Sequence, residues 1–332
     1  MELVCPAGSL PALKAAVDNG ADAVYLGFRD ATNARNFPGL NFSPEEAARG
    51  VDYAHRGGAK VFAAINTYAQ PGQVERWRAG VERAGAVGAD ALIVADVGLL
   101  GFAAAHYPSL RLHLSVQGSA TTPAAIQFLH EQFRIQRVIL PRVLSLAQVR
   151  RVLGELRDVE VEVFGFGSLC VMVEGRCMLS SYLTGESPNM SGACSPAKAV
   201  RWAETPAGRE VRLNQVLIDR YGAHQAAGYP VLCKGRFAVD GRVDYALEEP
   251  TSLSVIDILP QLMEAGVAGI KIEGRQRSPA YVAEVVAVMR AALDQCLRDP
   301  EGYAPDAGLT ARLDRLAEGR THTLGALERA WL

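Results

Sequence analysis

Glu2–Gly27 reads ELVCPAGSLPALKAAVDNGADAVYLG. Glu2–Cys5 and Ala23–Gly27 are short, mostly apolar runs of the kind expected for strands covered on both faces. Leu10–Asn19, between them, has helical spacing. The segment is therefore one βαβ unit with a characteristic join. In NGADAV (Asn19–Val24) a helix ends at a Gly C-cap and a short turn enters the next strand. VGADAL (Val87–Leu92) and AGVAGI (Ala265–Ile270) repeat that device farther along the chain.

Working outward from this unit, further strands are predicted at Val61–Asn66, Ala91–Asp96, Arg111–Val116, Arg137–Arg142, Val159–Phe166 and Gly269–Glu273. Helical patterns lie between them at Glu45–Arg56, Val74–Val87, Ala124–Glu131 and Leu146–Leu156. Tyr281–Arg298 follows the last strand, with Ser278 as its cap and Pro279 in the first turn. Eight strands, each followed by a helix or a long excursion, predict an α/β fold, a (β/α)8 TIM-like barrel. The regular pattern breaks between Gly167 and about Leu253. The expected organisation is thus a barrel over residues 1–298, with an insertion at 167–253 after the seventh strand, and a tail at 299–332. A long loop at that place lies on the C-terminal face, where barrel enzymes keep their active sites. Within it, two β-like pieces near Arg236–Val239 and Val243–Leu247 are expected, with a hairpin turn at Val239–Arg242. The tail shows little apolar periodicity and is expected to wrap the surface or reach a partner.

The chain has 332 residues, enough to bury a large core, and a formal charge of −2. That balance supplies no broad basic field, so capture of nucleic acid is not expected. The N-terminus lacks a cationic segment followed by an apolar run, and no stretch of about 20 apolar residues could span a bilayer. A cytoplasmic location is expected, where six cysteines serve as thiols or ligands rather than disulfides.

Strand alternation places His113, Ser115 and Gln117 inside the barrel, with Lys271 and Glu273 on the last strand. The same logic puts Tyr25, Asn66, Asp96, Arg142 and Glu162 inside or at the mouth. Glu162 and Lys271 can either pair across the pore or bind a ligand. Asn66, Asp96, Gln117 and Arg142, at strand C-terminal ends, are candidates for substrate binding. Arg275 and Arg277 follow the last strand and could clamp an anion through forked donors. No catalytic residue is singled out.

Glu162–Ser180, EVFGFGSLCVMVEGRCMLS, runs from a buried-strand pattern through Gly-rich turns into thiols. Cys170, Cys177, Cys194 and Cys233 follow C-x6-C-x16-C-x38-C spacing. No tight C-x2–4-C knuckle is present, and four soft ligands on a long loop suit a [4Fe–4S] cluster or an all-cysteine zinc site equally. Gly167, Gly175, Gly192 and Gly235 flank the thiols and would let backbone amides approach cluster sulfurs. No Cys–His pairing, G-x-S-x-G elbow or H-E-x-x-H motif stands out, so hydrolysis by a protein nucleophile is not supported.

The run Glu162-x-Phe164-x-x-Gly167-Ser168-Leu169-Cys170-x4-Gly175-x-Cys177-x-Leu179-Ser180 resembles the signature of the collagenase-like peptidase family. Asn33–Phe37, Ile65–Pro71, Ser180–Asn189, Gly192–Lys198, Tyr229–Arg236 and Lys271–Val282 extend the likeness over essentially the whole chain. They point to the branch serving oxygen-independent ubiquinone biosynthesis. That resemblance implies a [4Fe–4S] cluster held by the four cysteines, which favours iron over zinc. It also implies a heterodimer with the sister protein UbiV, and hydroxylation of a ubiquinone precursor ring with prephenate as oxygen donor. A lipid-carrier protein could deliver the precursor. The alternatives are hydroxylation of tRNA or rRNA, as in other members, and a non-catalytic electron-transfer or scaffold role.

Overall fold

The computed structural model describes residues 1–172, 174, 177–188 and 193–329. Eight parallel strands close into a barrel: β1 (Glu2–Pro6), β2 (Ala23–Leu26), β3 (Lys60–Ile65), β4 (Ala91–Val94), β5 (Arg111–Leu114), β6 (Ile135–Ile139), β7 (Glu160–Ser168) and, after the insertion, β14 (Gly269–Ile272). Closure is explicit, because β14 pairs with β1 through Glu2↔Gly269 and with β7 through Gly269↔Glu162. The sequence expectation of a TIM-like barrel with a cysteine-bearing insertion after the seventh strand holds. The sixth strand lies two residues earlier than expected at its start, so Arg142 belongs to the loop beyond it.

The helices on the outside are α1 (Leu10–Asp18), α2 (Pro44–Arg56), α3 (Val74–Ala86), α4 (Val97–His106), α5 (Pro123–Phe133), α6 (Leu146–Glu155) and, after β14, α9 (Pro279–Arg298). The repeated joint has a second purpose beyond the left-handed glycine at Gly20, Gly88 and Gly266. Asp22 in the first copy accepts the Leu3 N–H at 2.7 Å, and Asp90 in the second accepts the Val61 N–H at 2.7 Å. Each aspartate caps the start of the neighbouring strand. In the third copy Ala268 stands at that position, leaving only the backbone bond common to all three, in which the N–H of Asp22, Asp90 and Ala268 donates to Leu3 O, Val61 O and Val161 O. Helix α4 escaped the sequence reading because VGLLGFAAAH is apolar around most of its circumference and shows no stripe.

The insertion holds α7 (Met178–Thr184), an antiparallel sheet of β8 (Val200–Thr205), β9 (Gly208–Leu213) and β10 (Val216–Tyr221), and the expected hairpin of β11 (Arg236–Val239) and β12 (Arg242–Tyr245). The hairpin turns through Asp240 and Gly241, both at positive φ. β13 (Ser252–Ser254) then returns antiparallel to the end of β7, and β15 (His322–Thr323) of the tail adds to it. A short helix, α8 (Leu259–Glu264), leads into β14. The β8–β10 sheet has its own small core of Ala199, Val211, Leu213, Ile218 and Tyr221.

The tail folds back on its own chain. Helix α10 (Ala307–Leu316) packs against α9, where Arg312 grips Glu284 with bonds of 2.7 and 3.0 Å, and Leu313, Ala317 and Ala326 are buried. Among the described residues no helix is long and apolar enough to cross a membrane.

Candidate functional site

A cavity of about 650 Å³ opens at the C-terminal end of the barrel, between the strand ends, the insertion and the tail. All four clustered cysteines line it, as do Asn66, Gln117, Arg142, Lys271 and Arg275. The apolar part of its wall includes Ile93, Ile139, Phe164 and Leu169. Asp96 and Glu162 are not on that wall.

The geometry explains both exceptions. β4 stops at Val94, and Asp96 is the N-cap of α4. Its Oδ1 accepts the Leu99 N–H at 2.9 Å and its Oδ2 the Ala69 N–H at 3.2 Å, so both oxygens are engaged in structure. Glu162 lies below the cavity, fully buried, with Lys271 Nζ at 2.8 Å and Arg137 Nη1 at 3.1 Å. Arg137 also reaches Glu2 and Glu160, each at 2.7 Å. The barrel floor is thus an ion network, and the sequence reading missed its central arginine. Above the floor Lys271 sits 3.8 Å from the centre of the Tyr25 ring, whose hydroxyl donates to Ile272 O. Burial pushes the Lys271 ammonium below its ordinary pKa despite the carboxylate beside it. His113, which the alternation pattern places inside, packs edge-on against Phe62 at 4.6 Å, and burial holds it neutral.

The cysteines come from four different settings. Cys170 follows the end of β7, and Cys177 caps the start of α7. Cys194 precedes the β8–β10 sheet, and Cys233 lies in a 3-10 turn ahead of β11. Their backbones are pinned. Ser181 donates to Cys177 O at 3.0 Å, Ser180 donates to Cys194 O, and Glu248 N–H donates to Cys233 O at 3.0 Å. Burial pushes the Cys170 thiol up to about 11 and the Cys233 thiol up to about 12, and raises Cys194 as well. Cys194 acts on Cys170, Cys177 acts on Cys194, and all three act on Cys233, so the four form one electrostatic group. Arg142 and Arg35 pull against that accumulation of negative charge.

Two of the flanking glycines are required by packing. Gly167 sits at φ +131°, and a side chain there would place its Cβ 2.6 Å from that of Glu273. The glycine lets β7 cross the end of β14, and this crossing aims Ser168–Cys170 into the cavity. Gly235 makes room for the Phe237 ring, which a Cβ there would meet at 2.6 Å. Gly175 and Gly192 lie outside the described residues.

Two arginines that looked alike in sequence are held differently. Arg142 donates to Glu174 Oε1 at 2.7 Å and to Ser168 O, and stacks 4.2 Å from the Phe164 ring centre. Arg275 donates to Asn33 Oδ1 at 3.2 Å and, among the described residues, forms no ion pair. Arg277 is exposed beside the Tyr281 ring. Asn66 Oδ1 accepts the Ala34 N–H at 3.0 Å, whereas Gln117 Oε1 is buried with no partner among the described residues.

Sequence reasoning also missed Glu174, Lys234 and Glu318. Glu318, from the tail, receives Lys234 Nζ and the Tyr229 N–H, the latter at 2.7 Å. The loop that carries Cys233 is therefore tied to the C-terminal segment. None of the histidines is hydrogen-bonded to a cysteine among the described residues. The arrangement supplies soft ligands, fixed cations and an enclosed space, without a paired protein nucleophile among the described residues.

The family description "Peptidase family U32" matches residues 8–325. The chain is 32% identical over 324 residues to tRNA hydroxylation protein P1 of Bacillus subtilis (strain 168), covering 97% of this chain and 70% of that one. It is 31% identical over 348 residues to tRNA hydroxylation protein P of Escherichia coli (strain K12), covering 99% and 74%. It is 30% identical to the 23S rRNA 5-hydroxycytidine C2501 synthase of the same strain, covering 90% of this chain and 40% of that protein.

Proposed function

The chain belongs to peptidase family U32, and from that premise we propose that it is an iron–sulfur hydroxylase subunit acting on an unsaturated ring held in the barrel-mouth cavity. The observation that carries this reading is the meeting of four thiols with polar strand ends around one space. Cys170, Cys177, Cys194 and Cys233 would hold a [4Fe–4S] cluster. The donor set suits it, being all thiol, electrostatically coupled and largely withdrawn from solvent. A tetrahedral zinc ion would need its sulfurs about 3.8 Å apart, given Zn–S bonds of about 2.3 Å. Among the described residues no group of three Cys, His, Asp or Glu side chains fits one metal ion, and the choice of iron over zinc rests on the resemblance carried by the cysteine signature.

The cluster, when bound, supplies one-electron chemistry. The chain's own residues do the rest. Arg142, fixed by Glu174 and Phe164, offsets thiolate charge. Ile139 and Phe164 provide an apolar surface for a ring, and Gln117 Oε1 offers an acceptor for its substituents. Peptide hydrolysis finds no support in this arrangement.

Two readings of the ring differ in their support. The relatives named above are tRNA and rRNA hydroxylation proteins, and these comparisons favour an RNA base. The ubiquinone-precursor ring rests instead on segment-level resemblance to UbiU, at Thr32–Phe37, Leu183–Asn189 and Glu273–Val282, together with the formal charge of −2. On that reading the partner is UbiV and the oxygen donor prephenate. Deletion of the gene separates the two. Loss of ubiquinone in anaerobic culture, with RNA nucleosides unchanged, selects the quinone ring. Loss of a hydroxylated nucleoside with quinone intact selects RNA, and loss of neither defeats the hydroxylase reading. Anaerobic absorption and EPR spectra, with iron and sulfide counts, test the cluster, and a colourless zinc protein would exclude it.

A further inference from the structure

Arg277, Arg315 and Arg320 on the cavity wall are exposed, and the more shielded cations differ in what they meet. Arg142 is neutralised by Glu174, Lys234 by Glu318 and Lys271 by Glu162. Arg35, Arg142 and Lys234 act electrostatically on the thiols. Arg275 does neither. It is 6% exposed, forms no ion pair among the described residues, and the charges it senses are those of Tyr25, Arg35 and Glu273 rather than the thiols.

Its seat is nonetheless constructed. A Cβ at Gly27 would lie 2.9 Å from Arg275 Nη1, so glycine there leaves the space the guanidinium fills. Asn33 holds one N–H, and the Tyr25 ring centre lies 5.7 Å from the guanidinium carbon. Burial of an uncompensated cation is costly, and burial lowers Arg275 to about 10, which leaves it charged at neutral pH. Across the mouth, on the loop after β5, Gln117 ends in a buried Oε1 with no partner among the described residues. The mouth therefore presents an unneutralised forked donor on one side and an unused acceptor on the other.

We propose that Arg275 is the receptor for an anionic oxygen group, carboxylate or phosphate, on the molecule that occupies the cavity, and that Gln117 accepts a hydrogen bond from the same molecule. The guanidinium is matched to either anion through paired N–H donors. A small carboxylic acid and a nucleotide are the two sources of such a group. The inference rests on the hydroxylase reading only in taking that molecule to be its substrate.

The test is calorimetric titration of the anaerobically purified, cluster-bearing full chain with two pairs of probes. Phenylacetate is compared with neutral phenylacetamide, and cytidine 5′-monophosphate with cytidine. One anion should bind at least tenfold more tightly than its neutral counterpart, and which anion does so identifies the source. R275M should abolish that preference and R275K should restore part of it, with cluster absorption unchanged in both. Q117L should weaken the preferred probe without removing its preference for charge. Wild-type-like binding by R275M overturns the proposal, as does equal binding of anion and neutral probe to the unmodified chain. Because the readout is binding, the hydroxylase reading can fail in the deletion strain while the anion site stands, and the reverse.

Discussion

Glu162→Gln should destabilise the barrel from a position that does not itself line the cavity. The Glu162 carboxylate is fully buried between Lys271 Nζ at 2.8 Å and Arg137 Nη1 at 3.1 Å. Removing one partner from a buried ion pair costs about 3–5 kcal/mol, because the charge left behind is uncompensated. Two features place this case at the lower end. Arg137 keeps Glu2 and Glu160, and Lys271 can shed its proton. At about 2.1 cal/mol/K of unfolding entropy per residue, a 332-residue chain shifts by about 1.4 °C per kcal/mol, so a loss of about 3 kcal/mol should lower Tm by about 4 °C. The pH dependence has a definite sign. The folded-state pKa of Lys271 is already below its ordinary value, so between that folded value and about 10.4 the unfolded chain binds more protons and stability rises with pH. Loss of Glu162 deepens that depression, so the Tm gap between E162Q and wild type should narrow as pH rises from 7 toward 10. Differential scanning fluorimetry across that range measures it. A Tm within about 1 °C of wild type at pH 7, or a stable variant with lost turnover, would refute the structural assignment of this carboxylate.

Replacing Cys170, Cys177, Cys194 or Cys233 singly by alanine should lower bound iron and abolish the native cluster spectrum, while C296A, at a buried core thiol, should retain both. D96A should cost about 1 kcal/mol through loss of the α4 cap, seen in urea denaturation; an unchanged midpoint with lost activity would return Asp96 to the substrate site. E318Q removes the charge facing Lys234, and alkylation of Cys233 in cluster-free protein should become faster than in wild type. An unchanged alkylation rate would show that the tail does not hold that loop.

What was legible in the sequence follows from how each feature is encoded. Barrel strands must be covered on both faces, so each announces itself as an apolar run such as Ala91–Val94, and the glycine joints mark where helices stop. The β8–β10 sheet was illegible because it buries one face only, with β8 largely exposed, and its arginines and glutamates blur the alternation. Strand parity correctly turned Lys271 inward, whereas Gln117 lies beyond the end of β5 and reaches the cavity from a 3-10 turn. Parity could not say that Lys271 would find Glu162 at 109 positions' separation while Gln117 Oε1 would find no partner among the described residues. Nor does it separate Arg142 from Arg275, since the difference lies in Glu174 and Asn33, residues remote from each in sequence. Asp96 misled for a local reason. A strand's last residue and the next helix's N-cap fall at the same place in a βα unit, and the capping role prevailed.

Among the described residues, the insertion's own core is a cluster of five buried apolar residues under the β8–β10 sheet. Leu169 joins the barrel core, and further anchors belong to different parts of the molecule. β13 zips to the end of β7, Ser180 on α7 holds the Cys194 carbonyl, and Glu318 of the tail holds Lys234 beside Cys233. A group bonded to all four thiols would cross-link the end of β7, α7, the approach to β8 and the turn before β11. Closing such long loops removes chain entropy that five apolar side chains cannot offset alone. If a [4Fe–4S] cluster binds there as proposed, its binding and the ordering of the insertion would be one equilibrium. The cavity wall would then be partly a product of the cluster, and loss of iron should alter ligand binding even if no ligand atom touches it.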